Sequence, residues 1–89
     1  MNTTTETEYV GAQKMVTSDC FAITFVRPTG ANPVSVNGYP LEEGQALKIK
    51  QNVGDIDRTQ YSIVFGTGTG SDACWVFRTL PLERYKRDW

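Results

Sequence analysis

The chain has 89 residues, 39% of them apolar and 11% aromatic, with nine basic and ten acidic side chains, a net charge of −1 and no histidine. That length holds one domain, and the composition excludes a collagen-like, transmembrane or wholly disordered chain. Without an imidazole there is no Ser-His-Asp or Cys-His pair and no His-containing zinc site, and two cysteines cannot make a four-cysteine one.

The opening residues, Met1 to about Lys14, are polar and Thr-rich with little periodicity, which predicts an extended or disordered arm over 1–15. From Val16 the pattern turns strand-like. In Cys20-Phe21-Ala22-Ile23-Thr24-Phe25-Val26 the residues Phe21, Ile23 and Phe25 share one face, as a half-buried strand requires. Arg27 to Pro33 ends it, because proline cannot donate to a ladder and Gly30 permits a reversal. Val34-Ser35-Val36 and Tyr39-Pro40-Leu41 then flank Asn37-Gly38, the strongest short hairpin signal, and Pro40 puts the return strand at an edge.

Glu42-Glu43-Gly44 makes a second turn into Gln45–Lys50, where Leu47 and Ile49 face inward while Lys48 and Lys50 face solvent. A connector over 51–60 carries at most one helical turn, with Asp57 as its cap. Tyr61–Phe65 is the next strand, Gly66–Asp72 a flexible loop, and Ala73–Leu80 the last strand, stopped by Pro81. Within that strand Trp75 and Phe77 oppose Cys74, Val76 and Leu80, and the strand position suggests a core Trp75. Short strands punctuated by turns predict an all-β fold, a small antiparallel sandwich or barrel over 16–80, with an N-terminal arm and a C-terminal tail over 81–89.

Few constellations rise above turn chemistry. Gly66-Thr67-Gly68-Thr69-Gly70 leads into a strand rather than a helix, so its N–H groups do not form a phosphate cradle. Asp55, Asp57 and Asp72 lack the spacing of a calcium loop and read as turn residues. No cofactor, metal or catalytic residue is expected, so the chain reads as no enzyme. Cys20 and Cys74 are expected as reduced, buried thiols, a single bridge being the alternative. The short apolar runs predict no membrane span, and the start of the chain has no secretory pattern, so synthesis and folding in a cytoplasm are expected. Net charge near zero argues against nucleic acid. In the tail, Arg84, Tyr85, Arg87 and Trp89 combine the favoured interface residues, and with Tyr9 and Val10 of the arm they are the candidate partner contacts.

The stretch Pro33–Ile49, with its Val-Asn-Gly turn, a Leu, a Gly turn and a Leu-x-Ile strand, resembles a phrase of small virion proteins of tailed bacteriophages. The continuation Asn52–Phe65 is similar to the same group, particularly in phages infecting Bacteroidetes. The resemblance implies a head-decoration, head-fibre or tail-associated subunit, made in the host bacterial cytoplasm and localised to the virion, whose partners are copies of itself and other virion proteins. Extended arms suit that role, since an arm adds a strand to a neighbouring sheet through main-chain hydrogen bonds. The expectation is therefore a structural subunit in which 1–15 and 81–89 meet neighbours and small molecules play little part. The alternative is a small ligand-binding β module, for example for carbohydrate, using exposed Tyr39, Trp75 or Trp89 as stacking platforms, a choice that the exposure of Trp75 decides.

Overall fold

Side chains on a strand alternate between faces, so each strand with one apolar row must lay that row against another sheet. The computed structural model, which describes residues 3–50, 56 and 58–81, meets this demand with two packed four-stranded antiparallel sheets. In chain order the strands are β1 (Thr3–Val10), β2 (Lys14–Thr17), β3 (Ala22–Val26), β4 (Val34–Val36), β5 (Tyr39–Leu41), β6 (Ala46–Lys50), β7 (Gln60–Phe65) and β8 (Cys74–Pro81). The first sheet has the order β1-β8-β3-β6 and the second β2-β7-β4-β5. The chain passes from one sheet to the other at nearly every turn.

The core lies between the sheets. Ile23, Phe25, Cys74 and Val76 come from the first, Val16, Val34, Val36, Leu41, Tyr61 and Ile63 from the second. Phe25 meets Tyr61 across the gap in an edge-to-face contact, ring centroids 5.2 Å apart, the favourable arrangement for two quadrupoles. Leu47 and Ile49 pack against this core from β6, while Lys48 and Lys50 point to solvent as the alternation predicts. Cys20 and Cys74 are both buried, and no disulfide joins them.

Turn chemistry sets the β4–β5 register. Asn37 and Gly38 hold φ of 49° and 83°, the left-handed pair that matches strand twist in a two-residue hairpin. The Asn37 Oδ1 atom also accepts the Ser62 N–H at 2.7 Å, tying the turn to β7. The loop over Gly66–Asp72, expected to be flexible, is fastened to the 28–33 turn. Asn32 donates to the Asp72 carboxylate at 2.8 Å and accepts the Gly70 N–H at 2.8 Å, while Ala31 bridges Ser71. A side chain at Gly70 would overlap the Gly30 carbonyl, so that glycine serves a close approach of two backbones.

The stretch 1–15, read from sequence as an extended arm, holds all of β1 and the first two residues of β2. Thr3–Val10 runs along β8 with Thr3 opposite Pro81 and Val10 opposite Cys74, and Lys14 and Met15 open β2. The stretch is extended, with β1 at one edge of the first sheet and β2 at one edge of the second. The tail from 82 to 89 and the proposed cap Asp57 lie outside the described residues.

Candidate binding face

The two faces of the first sheet follow from its register. Inward on β1 point Thr4, Glu6, Glu8 and Val10, opposite Leu80, Arg78, Val76 and Cys74 of β8. Two carboxylates on a core face need a cation, and Arg78 supplies it. Arg78 is 8% exposed, and its guanidinium pairs with Glu6 at 3.1 Å and Glu8 at 2.8 Å and donates from Nε to the Thr17 carbonyl at 3.0 Å, linking the sheets. Lys14 adds a 2.6 Å contact to the other Glu8 oxygen. Burial alone would raise the Glu8 pKa, yet the hydrogen bonds and charges of Lys14 and Arg78 outweigh it and hold that carboxyl below its ordinary value. Burial has the upper hand at Cys74, whose thiol is pushed up to about 11 despite a hydrogen bond from Val26, so it stays protonated and unreactive at neutral pH.

The outer face carries the opposite row of every strand. Tyr9, Trp75, Val26 and Ala46 stand side by side across all four strands. Next comes the row Thr7, Phe77, Thr24, Lys48, and then Thr5, Thr79, Ala22, Lys50. Trp75 is 38% exposed, which corrects the expectation of a core tryptophan. The reason is volume: Phe25 and Tyr61 already fill the gap between the sheets, and the inward positions of β8 beside them hold the small Cys74 and Val76. Tyr9, 53% exposed, packs edge-on against Trp75 with centroids 5.1 Å apart and an interplanar angle of 62°. Its ring covers Gly11 and its hydroxyl donates to the Asp72 carbonyl at 3.3 Å, so the aromatic pair is held in place from two sides.

Among the residues expected to meet partners, Tyr9 offers surface and Val10 does not, being 1% exposed beneath the sheet. Arg84, Tyr85, Arg87 and Trp89 lie outside the described residues. Tyr39 is exposed too, but on β5 of the other sheet and apart from the Tyr9–Trp75 pair. The outer face of the second sheet carries Met15 and Val64 among Ser35, Ser62 and Pro40, with no ring pair. No group of three metal-type side chains occurs among the described residues, where Asp72 is bonded to Asn32; Asp55 and Asp57 fall outside them. No helix in the described residues is long and apolar enough to cross a membrane.

The edges of the first sheet contrast with its face. β1 turns two glutamates inward and β6 carries two lysines, both devices that discourage strand addition. In the second sheet β2 has four residues and β5 only three, with Pro40 at its centre. The aromatic row has no such guard.

The fold and this face together define an antiparallel β-sandwich with one exposed aromatic sheet surface. Comparison with protein-family models, with curated proteins and with solved structures found no match.

Proposed function

We propose that this protein is a non-enzymatic structural subunit of a tailed-phage particle, working by surface fit to its companions. The observation that carries the reading is the polarity of the first sheet. Thr3 and Pro81 are register partners, so β8 finishes at the end of the sheet where β1 begins. Trp75 lies six positions before Pro81, about 20 Å along the strand, which puts the aromatic pair at the opposite end. In this reading the Arg- and aromatic-bearing tail attaches the subunit, and the opposite end of the sheet presents the aromatic face. The resemblance of Pro33–Ile49 to small virion proteins supports the same reading.

Mass spectrometry of particles purified from the phage or prophage that encodes the chain tests it. The expected result is this protein at a fixed ratio to the major head or tail subunit, reduced when residues 82–89 are deleted. Its absence from intact particles would end the proposal.

A second reading, a carbohydrate-binding module, is favoured by the exposure of Trp75 beside Tyr9. A flat sheet bearing fixed rings offers sugar faces a platform without requiring a deep cavity. The two readings are compatible, because a particle subunit anchored at one end leaves the other end free.

A further inference from the structure

We propose that the outer face of the first sheet binds an acidic polysaccharide, with sugar rings on the Tyr9–Trp75–Val26 row and their carboxylates at Lys48 and Lys50. This rests on the carbohydrate reading above and goes beyond it by naming the ligand's charge and its path.

Three features point to this occupant. The first is charge. None of the strand positions on the outer face is acidic, since Glu6 and Glu8 turn inward to Arg78, and the only charged side chains in its rows are Lys48 and Lys50. The face is therefore a small cationic surface on a protein of net charge −1. The second is pattern. The aromatic row is followed by rows rich in threonine hydroxyls, Thr7 with Thr24 and Thr5 with Thr79. A pyranose has just this duality, apolar C–H faces that meet the negative face of an aromatic quadrupole and a rim of hydroxyls. Neighbouring strands lie about 4.8 Å apart, comparable to the length of one sugar unit. A polymer crossing from Trp75 toward β6 therefore passes about 10 Å, two strand spacings, before it reaches the lysine column.

The third is size. A face four strands wide and five to eight residues long covers about 300–500 Å², well short of the roughly 800 Å² per partner of a standard stable interface. Two copies face to face would also place lysines against a surface without carboxylates. A single-stranded nucleic acid uses rings and cations as well, but its affinity depends on neutralising many phosphates, and two lysines supply little of that.

The test uses the full chain with Trp89→Phe, so that fluorescence reports Trp75 alone. Titration and affinity electrophoresis are run with polygalacturonate, alginate, a neutral β-1,4-glucan and poly(dT). Expected are binding of at least one polyuronate, weakened by salt, and a quench or shift of Trp75 emission. Trp75→Ala should weaken binding about thirtyfold, as loss of a hot-spot tryptophan does, and Lys48→Gln with Lys50→Gln about tenfold. Both sets of substitutions lie outside the core, and far-UV circular dichroism confirms that each variant is folded. Equal binding of the neutral glucan, untouched by the lysine changes, overturns the acidic ligand and leaves the carbohydrate reading standing. Binding of neither glycan overturns both, and tighter binding of poly(dT) replaces the ligand class.

Discussion

The two rows of β8 differ in what they ask of the rest of the molecule. Cys74, Val76 and Arg78 point inward and depend on everything around them: Phe25, Tyr61 and the Glu6–Glu8–Lys14 cluster. Trp75, Phe77 and Thr79 point outward and depend chiefly on their cross-strand neighbours. One strand therefore carries stability on one side and a displayed surface on the other. Beside the crowded aromatic centre, β8 holds the small Cys74 and Val76 inside and the larger Trp75 and Phe77 outside.

The contrast breaks most readily from the inside. Phe25→Ala removes the ring that joins the sheets and should cost about 3–5 kcal/mol in urea unfolding, enough to unfold much of the population of so small a domain. Arg78→Ala should cost about 2–3 kcal/mol, below the usual penalty for breaking a buried pair, because the abandoned Glu6 and Glu8 remain partly solvated. Opening of β1 should accompany it, visible as faster amide exchange over Thr3–Val10.

Titration sharpens the same contrast more gently. The Glu8 pKa is lower folded than unfolded, so its contribution is complete above the ordinary 4.5 and is lost as pH falls through the folded value. Glu8→Gln should flatten that acid limb of the thermal-melting profile. Cys74 acts at the other extreme: with an unfolded pKa near 9.0 and a folded one of about 11, its contribution is complete below 9.0 and disappears on rising to 11. Cys74→Ala should remove that alkaline slope, though at a cost in packing. The smallest effect belongs to the outside. Trp75→Ala should change stability by about 1 kcal/mol or less, and a drop as large as that of Phe25→Ala would mean that Trp75 serves the core after all.

Sequence reasoning reaches the central strands because their chemistry is local. The Asn37-Gly38 turn and the Ile23–Phe25 and Leu47–Ile49 alternations each act within a few residues. β1 is opaque for the opposite reason. Its inward positions are Thr4, Glu6 and Glu8, which show no apolar period, and the cation that explains them lies 72 residues away from Glu6 in Arg78. The face of Trp75 is likewise undecided by alternation, which separates two rows but does not say which one meets the core. Only the volume of Phe25 and Tyr61 settles that, and it acts across the sandwich.

Thr3 and Pro81 sit directly opposite one another, their Cα atoms about 5 Å apart as in any antiparallel pair. A segment from 3 to 81 therefore begins and finishes at nearly one point. It is suited to being spliced into a surface loop of an unrelated carrier, where its Tyr9–Trp75 end would project outward with little disturbance to the host.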